Sequence, residues 1–169
     1  MPKWSPDDAI DVAKAGSLDR KKRRLKLDVS HVIGNLYQGG APPEGDDVGE
    51  AGFDALVLAA SEYQPAANEF AGVDVLRAGF NDSKPSGQEI QKAYSAAKWT
   101  HSRVNAGKKV LVTCQQGLNR SGLVSAMALV LDGYPPENAI QLIRHARGPK
   151  ALSNKYFAKI VMGMKKAPK

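Results

Sequence analysis

The sequence predicts a single α/β domain built on a mostly parallel central sheet, with helices on both faces of the sheet. Two observations lead to this class. Short apolar runs that suit buried strands alternate along the chain with longer segments of helical periodicity. The length of 169 residues fits one domain, and the composition, 43% hydrophobic and 24% charged, is that of an ordinary globular protein.

Residues 1–28 are predicted to form a short helix and a basic segment ahead of the main domain. The helix is expected at residues 5–16, between a Ser-Pro start and a glycine stop. The run from Arg20 to Lys26 accounts for nearly all of the net charge of +7. We expect this run to be a solvated segment. Binding of RNA or of an anionic lipid surface through it is a second hypothesis.

The main domain, residues 29–165, is expected to begin with a β-hairpin. Gly34 and Asn35 separate two apolar pairs, which is the signal of a two-residue hairpin turn. Three further segments are predicted to follow in order: a loop or weak helix at 41–52, and strands at 53–60 and 73–80.

Helical patterns dominate the second half of the chain. Ser86 and Glu89 form a capping box that begins a long helix, and Gly107 ends it. A short strand is predicted next, at 109–113, followed by helices at 120–131, 136–147 and 154–164. The first of these three is apolar on nearly all sides, so we expect it to be central.

Several classes of protein are not expected. The longest apolar stretch is about half the length needed to cross a bilayer. Prolines and aspartates interrupt the N-terminus where a secretory core would lie. A single cysteine rules out an intramolecular disulfide, and the three histidines have no metal-ligand spacing. We therefore expect a cytoplasmic protein. As a separate expectation, the protein is taken to be a monomer.

The segment that carries chemistry begins at Cys114, directly after the last predicted strand. A strand that turns sharply into a helix points consecutive backbone N–H groups into the turn, which creates an anion-binding nest. Gly117 permits backbone angles that are closed to other residues, and Asn119 tolerates them better than most. Arg120 can clamp two oxygens of a phosphate with its planar fork.

The same positive field acts on the thiol of Cys114. A helix N-terminus and a nearby cation lower the pKa of a cysteine from its ordinary value of about 8.5, so we expect a thiolate beneath a bound phosphate. Ser121 can hydrogen-bond the sulfur. This combination predicts phosphoryl transfer to sulfur. A buried structural thiol, the plainer interpretation, would leave Gly117, Arg120 and Ser121 unexplained.

The segment resembles the Cys-x5-Arg-Ser/Thr phosphate-binding loop of cysteine-based phosphatases, in particular the dual-specificity protein phosphatase family. The similarity extends over about residues 29–165: 35–40 resembles the early strand and turn of that family, and 54–60 resembles the next strand. The patterns at Ala139-Ile140 and at Asn154 and Phe157 resemble its last two helices. The resemblance implies a dual-specificity-phosphatase-like fold.

The resemblance also implies a role for each site residue. Cys114 would be the nucleophile, and Asp82, on a loop between a strand and a capped helix, would be the general acid. No metal or organic cofactor is required. One departure is Thr113, which stands where the family has His, and for which we expect reduced or retuned activity. The residues expected to bind the phosphate are Gln115, Gln116, Gly117, Leu118, Asn119 and Arg120.

Four functions remain open on the sequence. The first is hydrolysis of protein phosphotyrosine, with phosphoserine and phosphothreonine as further substrates. The second is an RNA 5′-triphosphatase, since residues 117–122 also resemble the loop of those enzymes. That branch manages without the aspartic acid, so Asp82 favours monoesters. The third is a phosphoinositide phosphatase, and the fourth is a phosphate-binding module that has lost catalysis, which Thr113 suggests.

Overall fold

A computed structural model describes residues 27–165, which form one five-stranded sheet and its covering helices. The helix predicted at 5–16 and the basic run from Arg20 to Lys26 lie outside the described residues. None of the helices within 27–165 is long and apolar enough to span a bilayer.

The sheet is mostly parallel, as predicted. Its spatial order is β1-β2-β5-β3-β4, and only β1 and β2 run antiparallel. Gly34 turns the hairpin between them with a φ of 56°. The strands are β1 (Val29–Ile33), β2 (Leu36–Gly39), β3 (Ala55–Ala60), β4 (Asp74–Phe80) and β5 (Val110–Thr113).

The helices predicted within residues 27–165 are all present, and their ends differ from the predictions by at most two residues. Ser86 and Glu89 make the predicted capping box: each side chain accepts a hydrogen bond from the other's backbone N–H, both of 3.1 Å. The helices are α1 (Asp47–Glu50), α2 (Gly87–Asn105), α3 (Arg120–Asp132), α4 (Pro136–Arg147) and α5 (Lys155–Met162), with a 3-10 turn at Ala67–Glu69.

Helices cover both faces of the sheet, but unequally. The four longer helices, α2 to α5, pack on one face, where β3 contributes Val57 and β5 contributes Val112. The opposite face is covered by the one-turn helix α1 and by Phe70, which pack on Leu56 and Leu111. This alternation follows from the two-residue period of a strand. Every residue of α3 from 120 to 130 is buried, so α3 is central as expected.

Strand β5 lies in the middle of the sheet, and a buried lysine precedes it. Lys109 is 1% exposed, and its Nζ donates to the carbonyl of Ala51 at 3.1 Å. The same ammonium lies 5.1 Å from the ring centroid of Tyr37 and 4.7 Å from that of Phe53. Burial disfavours the charged form and lowers the pKa of Lys109 to about 8, with Asp54 opposing the change. At its other end, β5 leads directly into Cys114.

Candidate active site

Cys114 lies at the floor of a cleft of about 220 Å³ at the carboxyl end of β5. The residue is only 4% exposed, and its Sγ lies 3.2 Å from Oγ of Ser121 in the first turn of α3. The sulfur therefore has the hydroxyl neighbour that the sequence suggested. The cleft is lined by Glu62, Asp82, Cys114, Gln115, Gln116, Leu118, Asn119 and Arg120.

The loop between β5 and α3 directs its carbonyl groups away from this cleft. All five carbonyls of residues 115–119 accept hydrogen bonds from groups behind the loop or in α3. A trans peptide is planar, so each following N–H points the opposite way, into the cleft. Within the described residues, the N–H groups of 115–120 have no acceptor. The donors to the carbonyls of 115–119, in order, are Ala41 N, Arg147 Nη2, Gln38 Nε2 with Arg147 Nε, Leu152 N, and Leu123 N, at 2.8–3.1 Å.

Gly117 is the residue that lets the loop close so tightly. Its φ is 74°, in the left-handed region that favours glycine. A Cβ at this position would lie 2.5 Å from both Nη2 of Arg147 and the carbonyl carbon of Gly39. Asn119, by contrast, has ordinary right-handed angles, φ −98° and ψ −59°, so the loop does not use its tolerance of unusual ones.

Asp82 is held on the wall of the cleft by two side-chain amides. Its Oδ2 accepts from Nδ2 of Asn119 at 3.0 Å, and its Oδ1 accepts from Nδ2 of Asn154 at 2.8 Å. The backbone N–H of Asn154 donates in turn to Oδ1 of Asn119 at 2.9 Å. Asn119 therefore links the loop between β5 and α3, the loop of Asp82 and the start of α5. This fixes an exposed carboxyl beside the cysteine.

Arg120 is aligned by a carboxylate that the sequence analysis did not identify. Its Nη1 and Nη2 donate to the two carboxylate oxygens of Glu62 at 2.5 Å and 2.7 Å, and Nη1 also donates to the carbonyl of Phe80 at 3.2 Å. The hydrogen bond from Arg120 lowers the pKa of Glu62 to about 2, and the same bond raises the pKa of Arg120. The pair therefore stays ionised throughout the neutral range.

One guanidinium nitrogen of Arg120, Nε, has no hydrogen-bond partner among the described residues. Its N–H is buried. Buried polar groups are nearly always hydrogen-bonded in folded proteins, so an unsatisfied one at a cleft points to a ligand. An oxyanion above Cys114 would satisfy it.

Arg147 supports the back of the loop between β5 and α3. Its side chain is 8% exposed and donates to the carbonyls of Gln116 and Gly117. Nη1 and Nη2 also pair with the two carboxylate oxygens of Asp28, both at 2.9 Å. Chiefly because of the hydrogen bond from Arg147, the pKa of Asp28 lies below its ordinary value. The end of α4 and the residue before β1 thus clamp the loop together.

Thr113, the residue directly before Cys114, is buried and turned toward the sheet. Its Oγ1 donates to the carbonyl of Val57 on β3 at 2.7 Å. Its hydroxyl is therefore satisfied by the neighbouring strand.

The contributors to the site that were missed from the sequence include Glu62, Arg147 and Asn154. For Asn154 a local signal exists, because its Oδ1 caps α5 by accepting from the N–H groups of Tyr156 and Phe157. Glu62 and Arg147 carry no local signal, since their partners are distant along the chain.

Comparison with known proteins agrees with the predicted fold. No model of a known protein family matches the chain. Over 85 residues the chain is 34% identical to protein tyrosine phosphatase type IVA 2 of mouse; this match covers 50% of the chain and 51% of that protein, about half the length of each.

Solved structures match over more of the chain. Tk-PTP in its active form superposes with a TM-score of 0.68 at 27% identity, covering 82% of this chain and 98% of that one. PTPMT1 in complex with PI(5)P superposes with a TM-score of 0.57 at 21% identity, covering 75% and 91%. At that identity the second match speaks for the fold alone.

Proposed function

We propose that this chain is a cysteine-based phosphatase of the tyrosine and dual-specificity group, and that it hydrolyses phosphate monoesters with Cys114 as the nucleophile. The observation that carries the proposal is the convergence of three groups on one cleft. They are a cysteine sulfur, the inward N–H groups of residues 115–120, and the unsatisfied Nε–H of Arg120. Together they match a tetrahedral phosphate held above a nucleophile.

The reaction has two steps. In the first, the sulfur of Cys114 attacks phosphorus in line, so that the S–P bond forms as the bond to the leaving oxygen breaks. Asp82 gives its proton to that oxygen. Arg120 and the loop N–H groups bind the three equatorial oxygens, whose charge is spread in the transition state.

In the second step, water attacks phosphorus and the S–P bond breaks, which releases phosphate and the thiolate. Asp82, now ionised, takes a proton from the water. Ser121, whose Oγ is 3.2 Å from the sulfur, stabilises the departing thiolate by hydrogen bonding.

Protein phosphotyrosine is the substrate class that we propose, with phosphoserine and phosphothreonine as slower substrates. The cysteine lies at the floor of its cleft and is only 4% exposed, which favours a long aryl ester over a short alkyl one. Asp82 on the cleft wall supports monoesters over RNA 5′-triphosphates. The proposal needs a compartment that keeps Cys114 reduced, such as the cytoplasm.

The proposal is tested by hydrolysis of a chromogenic aryl phosphate. Cys114→Ser should abolish turnover and retain phosphate binding, because a hydroxyl of ordinary pKa is a poor nucleophile. Acid quenching of the wild type followed by mass spectrometry should show one phosphate on Cys114. Turnover by Cys114→Ser at the wild-type rate would exclude this mechanism.

The role of Asp82 is tested by varying the leaving group. Asp82→Asn should slow esters of poorly acidic alcohols far more than esters of acidic phenols, which leave without a proton. Equal effects on both would mean that another residue supplies the proton.

A substrate panel separates the alternatives. It compares kcat/KM for a phosphotyrosine peptide, a phosphoserine peptide, triphosphate-ended RNA and phosphoinositide vesicles. The highest value on the phosphotyrosine peptide supports the proposal, and a higher value on RNA or lipid replaces it. Binding of phosphopeptide without any turnover would indicate a non-catalytic module.

A further inference from the structure

A second groove adjoins the catalytic cleft. Its volume is about 400 Å³, and it shares Asp82 and Asn119 with the cleft. The proposed general acid therefore forms part of the wall of both. The groove is lined by Asp82, Ser83, Asn119, Ser153, Asn154, Lys155 and Tyr156.

The groove contains a flat ring with two positive charges close to it, one from Lys155 in the groove lining and one from the adjacent Lys84. Tyr156 is 39% exposed and is one of two large apolar side chains that are exposed among residues 27–165. Nζ of Lys155 lies 5.6 Å from the ring centroid, and Nζ of Lys84 lies 6.0 Å from it. In this part of the chain, neither ammonium is paired with a carboxylate. The two charges are thus available to an anion from outside.

The position of Asp82 decides which part of a substrate meets this groove. A general acid must contact the oxygen that it protonates, so the leaving group lies against Asp82. The phosphate itself occupies the neighbouring cleft. Whatever extends from the leaving oxygen therefore passes into the groove.

We propose that this groove is a leaving-group subsite that selects phosphotyrosine peptides with acidic residues beside the phosphotyrosine; the inference rests on the proposed phosphatase function. The hydroxyls of Ser83 and Ser153 can hydrogen-bond to the backbone of a bound peptide. The ring of Tyr156 can pack against apolar atoms of that peptide. Consecutive residues are about 3.5 Å apart in an extended peptide, so a neighbouring carboxylate reaches Lys84 or Lys155.

The test compares two phosphotyrosine peptides that differ only in their flanking residues, Asp on both sides or Asn on both sides. The measured quantity is the ratio of kcat/KM for the two peptides. We expect the wild type to prefer the acidic peptide about three- to tenfold, mainly through KM, because each exposed charge pair is worth at most a few-fold in affinity. The double variant Lys84→Met/Lys155→Met should bring the ratio close to one.

Lys98→Met is the matched control. Lys98 is also an exposed lysine over a tyrosine ring, with Nζ 5.1 Å from the ring centroid of Tyr94 on α2. Because α2 is not part of the groove, this variant should keep the wild-type ratio. Added salt should reduce the preference of the wild type, since it screens exposed charges.

The possible results distinguish failure of the subsite proposal from failure of the phosphatase proposal on which it rests. Equal hydrolysis of both peptides by the wild type would overturn the subsite and leave the phosphatase proposal intact. No hydrolysis of either peptide or of an aryl phosphate would overturn both. If the double variant lost more activity on phosphoinositide vesicles than on the acidic peptide, the groove would be a lipid headgroup site and the peptide proposal would be wrong.

Discussion

The buried ammonium of Lys109 should make stability depend on pH in an unusual direction. The pKa of this lysine is about 8 in the folded protein, against 10.5 for an ordinary lysine. Below pH 8 the side chain is protonated in both the folded and the unfolded chain, and burial of its charge costs about 3 kcal/mol. Between pH 8 and 10.5 the unfolded chain binds more protons, so the contribution of Lys109 to stability rises with pH.

The variant Lys109→Met isolates this effect. Methionine keeps an unbranched side chain between Tyr37 and Phe53 but has no charge, and it also loses the hydrogen bond to Ala51. That loss adds an offset that changes little with pH. The free energy of unfolding of the variant, minus that of the wild type, should therefore fall by about 2 to 3 kcal/mol between pH 7 and pH 10.

Urea unfolding followed by circular dichroism measures this difference at each pH. Other groups titrate in the same range, including Tyr63 and Tyr134, whose pKa values are raised by burial, but they cancel between the two proteins. Lys98→Met, which removes an exposed lysine and keeps Lys109, is the matched control. If Lys109→Met showed no pH-dependent difference from the wild type, the lysine would not be buried as a cation, and the reasoning would be refuted.

Two further predictions concern the residues that support Arg120 and the loop between β5 and α3. Glu62→Gln should lower kcat/KM for an aryl phosphate about tenfold, because a neutral amide aligns Arg120 more weakly than a carboxylate; an unchanged value would mean that the loop alone holds the arginine. Arg147→Met should weaken vanadate binding at least tenfold, as measured by inhibition, because the carbonyl of Gln116 loses its donor and that of Gly117 keeps only Gln38. Arg103→Met, which removes a surface pair with Asp74, is the control and should bind vanadate like the wild type.

The features that could be predicted from the sequence are those that depend on residues close together along the chain. Gly34 at the hairpin, the capping box at Ser86, and the loop after Cys114 each depend on neighbours within a few positions. Such signals are readable because turn and cap geometry restrict residue type. Asp82 was identified through the family resemblance and not from a local pattern, and it lines the cleft.

The features that were missed depend on contacts between distant parts of the chain. Glu62 is an ordinary polar residue after a strand until the sheet brings it to Arg120. Arg147 ends its helix as many arginines do, and its pairing with Asp28 requires the order of the strands, which periodicity does not supply. The sequence also did not reveal that four helices cover one face of the sheet and only a one-turn helix covers the other, because this too depends on the order of the strands.

The solitary thiol at the floor of the cleft has a consequence for redox chemistry. Hydrogen peroxide oxidises reactive thiolates to sulfenic acid, which a nearby second cysteine can trap as a disulfide before damage becomes irreversible. The sequence contains no other cysteine. Recovery of Cys114 would therefore depend on an external reductant such as glutathione, which must enter through the opening that the substrate uses. Occupancy of the cleft by inorganic phosphate should accordingly slow both the damage and its repair.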